Sequence, residues 1–424
     1  MNQSRDVSAE RGIYRARDYL PRAGRDGAER GPYADQLSDE AATGPVTDQN
    51  VPAAEDVAGI VSTALQERLG IDAAAAEAIV SGLRRRGPAQ DAFSVYLDLN
   101  HWISLAKARV GRPDGARFVP CLDLLMKAVD SGKVILPLGR THYLEVANIT
   151  DVRQRADIAN TMAVLSGFTT LAARKHRLRC EVAQALHQRV GRPLFPERLK
   201  PFGRGFAFTL GVSDGPAGHL RPVGGASPTM SAPYRAELEF RLNQAAEYLL
   251  LRGPAPEDLA AMPGYDLSAV QAIAEARAAR EQELFALLQT DPADKRRLGD
   301  IAHARGLYWE LGPQLPGLLA AAGLSVESFF YKGKDWITSF LDTVPALAVR
   351  TSLVMQTNKN GTRAWTRNDI YDIDALEAAV PYCNVVVTEK YACRVINQSG
   401  LADRFATKVV RRLDDLIPTL QSLA

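Results

Sequence analysis

Three short apolar runs, each tied to a helical pattern, constrain this chain more than any other feature. In FSVYLDLNHWISLAKARVG, Phe93 to Leu97 reads as a strand closed by Asp98, and Trp102, Leu105 and Ala106 then recur at helical spacing. After the amphipathic helix CLDLLMKAVDSG, the run KVILPLG reads as a second strand, followed by one helix through THYLEVANITDVRQRADIANTMAVLS. Near the end, the helical stretch NDIYDIDALEAAV leads into the strand NVVVT, a short helix and ATKVVRRLDDLIPTL. Strands alternating with helices call for a parallel sheet covered by helices, so the fold class is α/β.

The rhythm is interrupted. Residues 1–54 carry few apolar residues at helical spacing and read as a disordered or weakly ordered tail, and 55–90 as a small helical hairpin ending in Arg84, Arg85 and Arg86. The α/β pattern occupies 93–172 and resumes over 335–424. Between them, 173–334 reads as a mostly helical insertion, broken by SDGPAGHLRPVGGASPTMSAP (Ser213 to Pro233), a stretch whose Gly, Pro and Ser content predicts a long mobile loop. There is no internal repeat.

At 424 residues the chain exceeds one compact core, and with 46% hydrophobic and 24% charged residues most of it should fold. A formal net charge of +2 excludes a polycation, so any nucleic-acid contact must come from a local patch. The four cysteines (Cys121, Cys180, Cys383, Cys393) form no CxxC pair and read as reduced thiols. With no apolar leader and no run of roughly twenty apolar residues, the expectation is a cytoplasmic chain outside the membrane.

In a parallel sheet, functional groups gather beyond the carboxyl ends of the strands. Asp98 follows the first strand and Glu389 follows VVVT; Glu145 lies in the first turns of the helix after KVILPLG. Asp372 opens the helix before the last strand. Its neighbours at four and seven residues on are Leu376 and Ala379, so it heads an apolar stripe. Asp369 suits a helix start capped by Asn368, and Asp374 continues to Glu377 and Ala378 on what reads as a wetter face, able to reach a metal through water.

Two carboxylates about 4 Å apart at an effective dielectric near 20 repel by roughly 4 kcal/mol. A hard divalent cation offsets that, and Mg²⁺ or Mn²⁺ suits an all-oxygen set. None of the six histidines forms a paired ligand motif, and the chain carries no GxxxxGK[ST], GxSxG or strand-borne GxGxxG. Carboxylate-held metal points to phosphate chemistry. Asn100, Ser104, Thr388, Arg140 and Lys390 read either as supporting or phosphate-binding groups or as ordinary caps and solvated bases; Trp102 and Tyr143 read as core aromatics before base-stacking ones.

These pieces resemble a PIN domain, a nuclease family of toxin–antitoxin systems and RNA-processing factors. The matching stretches are VYLDLNHWISLA, LPLGRTHYLEVANI and NDIYDIDALEAAVPYCNVVVTEK, the last the most specific. The resemblance implies a PIN-like parallel sheet and places Asp98, Glu145 and Asp372 on the family's metal-ligating acids, with Glu389 standing where Asp is common and Asn384 where relatives often carry Asp. It implies a metal-dependent endoribonuclease that leaves a 5′-phosphate, with RNA as substrate and a protein inhibitor or a second copy of the chain as partners. The alternatives are a PIN-like binding or scaffold protein with a degenerate site, as Asn384 suggests, and a nuclease acting on DNA.

Overall fold

A computed structural model of the protein describes residues 90–211, 245, 247–253, 267–290, 296–359 and 364–423, with isolated helical positions at 62, 63, 66, 73 and 76. The expected tail (1–54), nearly all of the expected hairpin (55–90) and the Ser213 to Pro233 loop lie outside the described residues.

The chain runs β1 (Phe93–Leu97), α1 (Leu99–Arg109), a 3₁₀ turn (Pro113–Phe118), α2 (Val119–Asp130), β2 (Val134–Ile135), α3 (Arg140–Ala147), α4 (Val152–Ser166), β3 (Thr169–Leu171), α5 (Arg174–Val190), β4 (Phe202–Arg204) and α6 (Gly205–Leu210). It continues with α7 (Leu267–Thr290), α8 (Leu298–Arg305), a π-helical turn (Gly306–Leu311), α9 (Leu315–Ala321), α10 (Val326–Phe330), α11 (Lys334–Thr343) and α12 (Pro345–Lys359). The last elements are α13 (Arg367–Ala379), β5 (Val385–Val387), α14 (Lys390–Gln398), α15 (Leu401–Arg404), β6 (Lys408–Val410) and α16 (Ile417–Leu423).

Four strands form a parallel sheet in the order β2-β1-β5-β6. Alternate residues of each strand enter opposite layers, as the two-residue period dictates. Val95, Leu97, Val385 and Val387 pack with Trp102, Leu105, Leu125, Met162 and Leu420, whereas Tyr96, Val386 and Val409 pack with Leu353, Ile373, Leu376 and Ile396. Both faces are therefore buried, which explains why the strands read as unbroken apolar runs.

From β1 the chain moves outward to β2, and Leu138 just beyond it pairs in parallel with Thr170 of β3. It then crosses to β5 and β6 on the other side of β1. The strand order thus reverses between β1 and β5, the place in a parallel sheet where a crevice is expected beyond the carboxyl ends.

One detail differs from the sequence expectations and others add to them. The helix expected over 141–166 is two, because Asp151 caps a new start by accepting from the Gln154 N–H at 3.0 Å. The mostly helical insertion also holds strand β4, which pairs antiparallel with β3. An apolar cluster joins the insertion to the second α/β stretch: Leu178 and Val182 meet Leu311, Leu319, Phe340 and Leu347. All four cysteines are free and buried. Among the described residues no single helix is long and apolar enough to cross a membrane.

Candidate metal centre

Backbone pairing alone places the first two acids. Leu97 of β1 is in register with Val387 of β5, and the ladder runs one step further through the Asp98 N–H to the Val387 carbonyl at 3.0 Å. Asp98 and Glu389 then stand at the N-caps of α1 and α14, both with extended backbone, and neither side chain makes a cap hydrogen bond. A strand-end acid usually serves the helix start. These two carboxylates make no such cap bond.

The third comes from α13, whose Leu376 and Ala379 are buried, so the stripe expected from the sequence does turn inward and Asp372 heads it. Carboxylate oxygens of Asp98, Asp372 and Glu389 lie within 4.8 Å of one another, and Asp372 and Glu389 open onto one pocket. Glu145 of α3 stands in the field of all three: burial first, then Asp98, Asp372 and Glu389, push its carboxyl up to about 8. Asp98 rises to about 6 through burial and Glu389, against a partly opposing bond from the Leu99 amide. Among the described residues no Lys or Arg forms an ion pair with Asp98, Glu145 or Glu389.

Asp374 is not brought to this group. Its carboxylate accepts from Arg277 at 2.8 and 2.9 Å and from Arg350. The face expected to be wetter is interior, with Glu377 0% and Ala378 5% exposed. Asp369 does serve the helix start, but its partner is Thr366 rather than Asn368: the Thr366 hydroxyl accepts from the Asp369 N–H at 3.3 Å, and the Asp369 carboxylate accepts the Thr366 N–H at 2.8 Å.

Asn384 lies at the opposite end of β5. Its Oδ1 accepts from the Ser94 N–H at 2.8 Å and the Ser94 hydroxyl at 3.0 Å, so it ties β5 to β1 at their amino ends and its lack of charge removes nothing from the crevice. Trp102 and Tyr143 are core residues, 0% and 3% exposed. The Thr388 N–H is used by the Val410 carbonyl at 3.0 Å, and the Ser104 hydroxyl bonds back to the Asn100 carbonyl at 2.9 Å. Lys390 is exposed, and Arg140 is the half-buried first residue of α3.

Two histidines that carry no motif hold the acid-bearing elements together. His142 is fully buried; its Nδ1 accepts the Gly139 N–H at 2.9 Å, which leaves Nε2–H to donate to the Leu97 carbonyl at 2.9 Å. It thereby joins the residue before Asp98 to the start of the helix bearing Glu145. Tyr96 stacks on it at 5.1 Å, and burial holds its pKa down at about 4, so it is neutral. His101, likewise lowered to about 4 by burial, bonds to the backbone of Thr388. A lone buried histidine gives no sequence signal of such a role.

Among the described residues one other group has ligand chemistry, His176, Cys180 and Glu197, but Arg179 already bonds Glu197 at 2.7 Å and His176 Nδ1 at 3.2 Å.

Comparison of the chain with known protein families, with curated proteins and with solved structures finds no match.

Proposed function

We propose that the chain is a PIN-like, metal-dependent endoribonuclease. One observation carries the reading: Asp98, Asp372 and Glu389, with Glu145 beside them, are gathered at the switch point of a parallel sheet, and among the described residues no cation is paired to Asp98, Glu145 or Glu389. Repulsion of this kind is retained where something outside the chain relieves it. The donors are all carboxylate oxygens, which fits Mg²⁺ or Mn²⁺ and not a soft metal. The acids come after β1, from the helix after β2, from the helix before β5 and after β5, the order that the resemblance implies.

In this reading Asp98, Asp372 and Glu389 hold the cation. When bound, it would polarise the phosphodiester and neutralise charge developing on it. Glu145 keeps a proton near neutral pH in the metal-free protein, so it can give up or take a proton where the reaction needs one. The neutral His142 fixes Asp98 and Glu145 relative to each other, and His101 fixes α1 against the end of β5. Water adds to phosphorus and the 3′ oxygen departs, leaving a 5′-phosphate.

The test is cleavage of single-stranded RNA with Mn²⁺ or Mg²⁺ and with chelator. The reading expects metal-dependent products bearing 5′-phosphates, lost in Asp98→Asn while the fold is kept. No cleavage at millimolar metal would remove it, and cleavage confined to DNA would replace it with the DNA-directed alternative.

A further inference from the structure

Helix α1 leaves the carboxylate cluster at Asp98, and one of its faces carries Asn100, Ser104 and Lys107 at the i, i+4, i+7 spacing. Asn100 is exposed and the other two are half-buried. At the far end of that face lies an open groove lined by Ser104, Lys107, Pro113, Asp114, Arg117 and Phe118. At about 1.5 Å per residue, Lys107 stands about 14 Å along the helix from Asp98.

The groove is held in shape by a close backbone approach that needs glycine. The 3₁₀ turn presses so closely on the end of α1 that a Cβ on Gly115 would sit 2.4 Å from the Lys107 carbonyl carbon and the Ala108 nitrogen. The Arg112 N–H donates to the Lys107 carbonyl at 2.9 Å, and the Gly115 N–H to the Arg112 carbonyl at 2.9 Å. Asp114 spreads across two cations, accepting from Lys107 at 2.8 Å and Arg112 at 3.3 Å. Arg117 lies over the Phe118 ring, 4.4 Å from its centroid. Two cations thus share one carboxylate, beside a third, the Arg117 guanidinium, stacked on an aromatic plane.

We infer that this groove binds the sugar–phosphate backbone of single-stranded RNA, so that the substrate of the carboxylate site is a polymer laid along α1 and not a mononucleotide. The inference rests on the nuclease reading for what happens at Asp98, but the groove is built from its own residues. Phosphates answer the cluster's positive excess, and the Arg117–Phe118 pair offers a flat face to an unpaired base.

The experiment measures anisotropy of a fluorescein-labelled single-stranded RNA in chelator, across a salt series, for wild type and an Arg112→Ala/Arg117→Ala variant. Both substitutions are at exposed positions. The log–log salt slope is expected to fall by about 0.7 for each phosphate that the variant no longer neutralises. Affinity is expected to drop about tenfold or more. The same drop on single-stranded DNA would support backbone recognition. An unchanged slope and affinity in the variant, or equal binding of duplex, would overturn the groove. Wild-type cleavage of the same RNA under Mn²⁺ separates the two claims. Cleavage with an unaltered variant slope sinks the groove and leaves the nuclease. A reduced variant slope without any wild-type cleavage keeps the groove and sinks the nuclease.

Discussion

Helix α13 carries acids into two gatherings of carboxylates that solve the same electrostatic problem in opposite ways. Asp372 and Asp374 are two residues apart, which at 3.6 residues per turn points them about 200° apart around the helix axis. Asp374 and Glu377 enter an interior network with Glu310: Arg350 bonds all three, Arg174 bonds Glu310 at 2.6 Å and Glu377 at 2.7 Å, and Arg277 bonds Asp374. Arg305 adds a 2.8 Å pair to Glu310. Burial alone would raise the Asp374 carboxyl, but Arg277 and Arg350 outweigh it and hold it well below the ordinary range. On the other face, Asp98 and Glu145 are raised, by burial first and then by the acids beside them. A compensated cluster is complete without a ligand and serves the fold; the other is the kind that a bound cation, as proposed above, would complete.

The largest effect should come from breaking the compensated side. Arg350→Met leaves Glu310, Asp374 and Glu377 short of their shared cation, and losing one partner of a buried network costs about 3–5 kcal/mol. Urea unfolding measures it; a loss under about 1 kcal/mol would mean the network does not hold the fold as described. The mirror change, Asp372→Asn, removes repulsion and should leave the metal-free protein at least as stable as wild type.

Metal should then separate the two faces. A ligand bound only to the folded state adds about 2.7 kcal/mol at a hundredfold excess over Kd. Melting with Mn²⁺ should show that gain in wild type and in Asp369→Asn, but not in Asp98→Asn or Asp372→Asn.

The two clusters should also respond to pH with opposite sign. Glu145 at about 8 against an ordinary 4.5, and Asp98 at about 6 against 3.8, bind protons more tightly in the folded than in the unfolded chain. Their contribution favours folding at low pH and is lost as pH rises through about 6 and then about 8. Asp374 is lowered, so its contribution is present above 3.8 and lost as pH falls. Since metal competes with the protons on the first cluster, the Mn²⁺ shift in Tm should grow over the window from Asp98 to Glu145. A shift that is flat across that window would put the metal elsewhere.

The smallest effect belongs to Asp369, which serves neither gathering. Asp369→Asn weakens one capping box and should cost at most about 1 kcal/mol, with cleavage kept.

What is legible in the sequence follows from local physics. FSVYL and VVV are buried on both faces, so they read as strands, and the acids that end them inherit their place from the ladder. The stripe through Leu376 and Ala379 is enough to turn Asp372 inward. Asp374 reads as solvated because the arginines that make its burial tolerable come from α7 and α12, 97 and 24 residues away, and no local pattern announces them. Strands β3 and β4, three residues each, are too short to show a period. His142 acts through two backbone groups, which leave no trace in residue spacing.

The most direct test is anomalous diffraction from a crystal soaked in Mn²⁺. A peak among the carboxylates of Asp98, Asp372 and Glu389, absent in crystals of Asp372→Asn, is the result this account predicts. A peak beside Asp374 and Glu377, or none at a Mn²⁺ concentration that supports cleavage, would contradict it.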